Sequence, residues 1–98
     1  MRIYKINITE NARYRINQLT DYILYELKNP IATINVSNGL YEKIYSLTST
    51  PYIGTNYNSN IKFIRFKNYL IYYEINNKDK IISIKTIMHK KQNRKNLN

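Results

Sequence analysis

The stretch DYILYELKNPIAT, residues 21–33, decides the fold, because it must end one helix and begin another within a few residues. Proline disfavours helical geometry in the residue before it, so a helix running through Asp21 must stop by Asn29. Asn29 can then cap a second helix whose first position is Pro30, where a missing N–H costs nothing. Two helices joined so tightly must fold into a hairpin. Upstream, Ala12, Ile16, Leu19, Ile23 and Leu27 recur at spacings of four and three, which is one face of an α-helix that Thr9 can cap. Downstream, Val36, Leu40, Ile44 and Leu47 give the second helix its apolar stripe. Gly39 and several β-branched residues lower that helix's intrinsic propensity, so packing must hold it in place.

Working outward, RIYKINI (residues 2–8) alternates, with Tyr4, Ile6 and Ile8 on one side of a first strand. Residues 48–60 are rich in Thr, Ser, Asn, Pro and Gly and read as a loop. Three strands follow: IKFIRFK (61–67), YLIYYEI (69–75) and KIISIKTIM (80–88). The first two are linked at Lys67-Asn68 and the last two through NNKDK (76–80). The order β-α-α-β-β-β predicts an α+β fold, an antiparallel sheet with the helix hairpin on one face and the other face open. The first strand is expected at an edge or beside the last. Residues 1–98 read as one domain, with residues 90–98 a flexible basic tail.

Composition narrows the chemistry. The chain has no cysteine and one histidine, which argues against a thiolate zinc site or any other metal cofactor. With only Gly39 and Gly54 there is no Gly-rich phosphate loop, and no carboxylates stand at catalytic spacing, so no small-molecule cofactor is expected. No apolar run reaches the roughly 18 residues that span a bilayer, and the chain reads as cytoplasmic with no membrane partner. Charge is more informative. Sixteen Lys and Arg against six Asp and Glu give +10. Residues 62–98 carry ten bases against Glu74 and Asp79, a net +8, whereas residues 1–61 carry six against four, a net +2. The carboxy-terminal third is therefore the electrostatic face, suited to an acidic partner. The 11 tyrosines, beside 17 Ile, 15 Asn and 11 Lys, carry less weight, because an AT-rich coding sequence favours that mixture whatever the function.

The element order, with DYILYELKNPIAT at the helix corner, LTSTPYIGT after the second helix, KNYLIYYEI in the middle strand and IKTIMHKKQN at the end, resembles the RelE/ParE family of bacterial type II toxins. The resemblance covers nearly the whole chain and implies the same small α+β fold. It also implies a cognate antitoxin, acidic where it wraps the toxin, which suits the +10 charge. The family's targets fall into two classes. RelE-like members cleave messenger RNA in the ribosomal decoding site, and ParE-like members poison DNA gyrase without a known hydrolytic site.

Metal-independent RNA cleavage needs a base for the 2′-hydroxyl proton, positive charge for the phosphorane and an acid for the departing 5′-oxygen. In this resemblance Arg65 matches the strand arginine before the NY corner, and alternation places Arg65 and Lys67 opposite Ile64 and Phe66, out of the core. His89 matches the histidine that many members carry just after the last strand, and histidine is the side chain best suited to acid or base work near neutrality. Arg65 and His89 are thus the candidate catalytic pair. Lys62, Lys67, Tyr72, Lys90, Lys91 and Arg94 are the candidate nucleic-acid contacts. Each has a plainer reading: a strand arginine can serve solubility, a lone histidine can cap backbone groups, and Lys90 and Lys95 suit a solvated tail. Of Tyr72 and Tyr73, which point to opposite faces, one should be core, and the other, more readily Tyr72, is free to stack on a base. No tyrosine follows Tyr73, so the late tyrosine of several RelE-like nucleases is missing, and Arg94 falls close to its place. The leading expectation is ribosome-dependent mRNA cleavage. The alternatives are gyrase inhibition and an inactive nucleic-acid-binding relative.

Overall fold

The computed structural model describes residues 4–90. Strand β1 (Lys5–Ile8) leads into helix α1 (Glu10–Asp21), which continues as a π-helical stretch, Tyr22–Glu26. Helix α2 (Pro30–Ser46) follows, then β2 (Thr55–Asn56), β3 (Ile61–Phe66), β4 (Tyr69–Asn76) and β5 (Ile81–His89). The five strands form one sheet in the order β1-β5-β4-β3-β2. Among the described residues no helix is long and apolar enough to cross a membrane.

The corner forms as the sequence dictates. Asn29 accepts a hydrogen bond from the Ala32 N–H at 3.0 Å, and Pro30 opens α2. Lys28 takes a left-handed φ of 50°, closing the first helix as an αL residue does. One apolar position departs from expectation. Leu27 is exposed, because the helix widens at Tyr22, the Leu27 N–H bonding back five residues to the Tyr22 carbonyl, and this turns the last residues off the buried stripe. Ala12 and Ile16 of α1 and Leu40, Ile44 and Leu47 of α2 remain buried against Ile64, Ile71, Tyr73, Ile82, Ile84 and Ile87 of the sheet. Each such aliphatic side chain contributes about 1.5–3 kcal/mol.

The sheet is mixed. β3, β4 and β5 form the expected antiparallel meander, but β1 pairs with β5 in parallel. A parallel pair needs a long connection, which the helix hairpin and meander between them supply. The loop after α2 also holds a strand that was not expected, the two-residue β2, which pairs with Lys62 and Phe63.

The β4–β5 register slips between Tyr72 and Tyr73, so that Tyr73 faces Ile84, Tyr72 faces Thr86 and Lys85 is the extra residue. A bulge of this kind switches the alternation of the strand beyond it. Ile87 and His89 therefore share the helix-covered face with Ile82 and Ile84. Thr86 and Met88 lie on the other face with Phe63, Arg65, Leu70 and Tyr72.

Candidate functional site

Arg65 projects from the end of β3 on the open face. Its Nε donates to the Lys67 carbonyl at 2.8 Å, which holds the guanidinium at the hairpin corner. Lys67 does not lie beside it on the strand. It occupies the two-residue turn at φ 53°, with its ammonium 5.8 Å from the Phe66 ring centre. Lys62 stands near the opposite end of β3, where its Nζ donates to Asn56 Oδ1 at 2.6 Å and lies 5.8 Å from the Tyr52 ring. Lys90 is tied to the β3–β4 turn by its N–H, which donates to the Asn68 carbonyl at 2.8 Å.

Arg65 and Lys90 meet Lys43 of α2 around a groove of about 560 Å³ along the edge of β3, with Phe63, Ile64 and Leu70 below and Ile53, Gly54 and Thr55 at one side. β2 pairs with Lys62 and Phe63, and among the described residues no strand covers the rest of that edge. Gly54 is required in this wall, since a Cβ there would lie 2.5 Å from the Tyr73 hydroxyl and 2.8 Å from the Phe63 carbonyl. Lys43 of α2, Arg65 of β3 and Lys90 just beyond β5 line the groove, with no carboxylate among the described residues, an arrangement that attracts an anion. Lys43 escaped the sequence reading because it sits on the flank of the α2 stripe, and only the packing of α2 against β3 brings it to Arg65.

His89 lies elsewhere. It lines a second pocket, of about 360 Å³, between α1 and the ends of β4 and β5, with Arg15, Gln18, Leu19, Tyr22, Tyr69 and Ile87. Its ring stands edge-on to Tyr69, 5.4 Å between centres. Burial, and then the neighbouring Tyr22, raise the Tyr69 pKa above its ordinary value. Arg65 and His89 are thus at the same end of the sheet, two strands apart and on opposite faces.

Tyr72 is buried beneath Tyr57 and Phe63, each with a ring centre 5.5 Å away, and of the ring pair Tyr57–Tyr72 the accessible member is Tyr57. Tyr73 belongs to the core. Glu74 is engaged by Lys85 at 3.1 Å, with both side chains partly exposed. Lys91, Arg94 and most of the expected tail lie outside the described residues. Among the described residues no three His, Cys, Asp or Glu side chains gather to hold a metal ion.

A family model described as "ParE toxin of type II toxin-antitoxin system, parDE" matches residues 6–94. The chain is similar in structure to a chain of the chromosomal ParDE system of P. aeruginosa, with a TM-score of 0.75 at 13% identity, covering 88% of this chain and 95% of that one. It is also similar to a chain of the RelBE2 toxin-antitoxin complex of Mycobacterium tuberculosis, with a TM-score of 0.67 at 18% identity, covering 88% and 96%. A mutant E. coli RelE toxin in the free state gives 0.69 at 13% identity, covering 96% and 90%. At these identities the likeness is one of fold. No curated protein sequence matches the chain.

Proposed function

The chain belongs to the ParE toxin family of type II toxin-antitoxin systems, and on that premise we propose that it is a single-domain cytoplasmic toxin, held silent by an acidic antitoxin, whose target is DNA gyrase. The observation that carries the choice of target is the separation of Arg65 from His89. The two side chains line different pockets, two strands apart and on opposite faces of the sheet, and the groove that holds Arg65 offers Lys43 and Lys90 as its other charged groups. It can bind an anion, but among the described residues it places no histidine or carboxylate beside the arginine to act as acid or base. That suits the ParE-like branch of the resemblance, in which the target is bound and nothing is hydrolysed. The antitoxin reading is supported by the net charge of +10 and by relatives solved as toxin-antitoxin complexes.

Messenger RNA cleavage is the second reading, favoured by the three cations around one groove, which suit a phosphodiester. The two readings separate in one experiment. Purified toxin is added to a gyrase supercoiling assay, and mRNA from cells expressing it is mapped by primer extension. Supercoiling should stop, mRNA should stay intact, and Arg65→Ala should relieve the inhibition at least tenfold. Cuts placed within codons, with supercoiling unaffected, would replace the gyrase reading by the nuclease one.

A further inference from the structure

The Nε of Arg15 is buried and has no hydrogen-bond partner among the described residues. A guanidinium donor withdrawn from water without an acceptor is destabilising, so an atom of this kind marks a place where an acceptor belongs. Arg15 lies on the face of α1 that also carries Gln18, Leu19 and Tyr22, at spacings of three, four and seven residues. Those four line the pocket of about 360 Å³ whose other wall is Tyr69, Ile87 and His89. The helix turns π-helical at Tyr22, on the pocket's rim, a distortion often found where a helix serves a function. Leu19 and Ile87 make an apolar floor, the phenols offer polar hydrogens, the Gln18 amide donates to the Tyr14 hydroxyl at 3.1 Å and keeps a second N–H, and among the described residues no carboxylate lines the space.

We infer that this pocket anchors a carboxylate side chain of the protein partner, an Asp or Glu on an acidic segment with aliphatic neighbours. The inference rests on the antitoxin reading above and adds the group by which that partner is held. On docking, a carboxylate displaces the side chains that cover the Arg15 Nε and accepts side-on from it and an adjacent guanidinium N–H, the planar fork that arginine offers and lysine does not. Its short aliphatic stem fits between Leu19 and Ile87. A phosphodiester, continued on both sides by polar sugars, would meet those apolar walls, and the groove at Arg65 on the far face is the better place for one. Tyr22 and Tyr14, 53% and 59% exposed, stand on α1 beside the pocket, and tyrosine and arginine are the residues over-represented where protein interfaces draw their affinity.

The test has two arms. In the first, the Nε–H resonance of Arg15 is followed by NMR in the purified full chain during titration with hexanoate, hexanol or inorganic phosphate at constant ionic strength. Hexanoate should move and sharpen that resonance while the other two leave it in place. An equal response to hexanol, or a larger one to phosphate, overturns the carboxylate assignment. In the second arm, the product of the reading frame adjacent to this chain's gene is bound to wild type, Arg15→Gln and Arg15→Lys. Loss of a charge-assisted hydrogen bond should weaken the Arg15→Gln complex about 10- to 100-fold, with Arg15→Lys between the two. Equal affinity for wild type and Arg15→Gln overturns the anchor and leaves the antitoxin reading standing. No binding to wild type removes the antitoxin reading and the source of the carboxylate with it, while the hexanoate response still decides what the pocket accepts.

Discussion

The Tyr73 hydroxyl accepts a hydrogen bond from the Gly54 N–H at 3.0 Å and donates to the Pro51 carbonyl at 2.8 Å, while the hydroxyl of its neighbour Tyr72 is buried with no partner among the described residues. Strand alternation separates the two rings, as the sequence indicates, but it does not reveal that both are buried. Tyr72 sits on the uncovered face, and Tyr57, brought over it by the loop before β3, closes it off. The same chemical change should therefore have opposite effects at the two positions. Tyr73→Phe strands a backbone donor and acceptor and should cost about 1–3 kcal/mol, whereas Tyr72→Phe removes an unsatisfied hydroxyl and should leave stability unchanged or raise it by up to about 1 kcal/mol. Urea unfolding midpoints of the two variants check this, and a Tyr72→Phe variant as unstable as Tyr73→Phe would show that the Tyr72 hydroxyl is paired.

Helix α2 shows how packing overrides propensity. Gly39 lies in its interior, where alanine would ordinarily gain up to about 1 kcal/mol. A Cβ at that position collides with the Phe66 ring of β3, so the glycine is what lets α2 approach the sheet closely enough to bury Leu40 and Ile44. Gly39→Ala should then destabilise the protein by about 1–3 kcal/mol, the usual range for overpacking. In a Phe66→Leu background the same change should become neutral or stabilising, because the collision is gone. Chemical denaturation of the four proteins in the cycle measures the coupling, and additive effects would contradict it. The helix corner was legible because proline and asparagine act locally. The bulge at Lys85 was not, since IISIKTIMH carries apolar residues at both odd and even positions and so specifies no single phase; the slip follows from register against β4 and moves His89 to the face away from Arg65.

Across the whole molecule, tyrosine links packing to pH. Burial raises the pKa of Tyr69, Tyr72 and Tyr73 above the ordinary 10.0, although the hydrogen bond from Gly54 lowers that of Tyr73 in part. The folded protein therefore holds these protons at a pH where the unfolded chain releases them. Their contribution is fully present below pH 10 and is lost as pH rises from there through the raised folded values. Thermal midpoints between pH 9 and 11.5 should fall beyond pH 10, and Tyr69→Phe should make the fall less steep; a flat profile would contradict the shifts. The charge asymmetry, a net +8 in residues 62–98, is likewise a property of the chain as a whole. By itself the sequence determined the helix hairpin, the strand meander, the excess of positive charge and the exposure of Arg65, because capping, alternation and charge act over a few residues or by simple sum. The parallel pairing of β1, the meeting of Lys43 with Arg65 and Lys90, the parting of Arg65 from His89 and the unpaired Arg15 Nε were decided by the tertiary structure. Each depends on which strand lies beside which and in what register, and that is fixed only when the sheet and helices pack together.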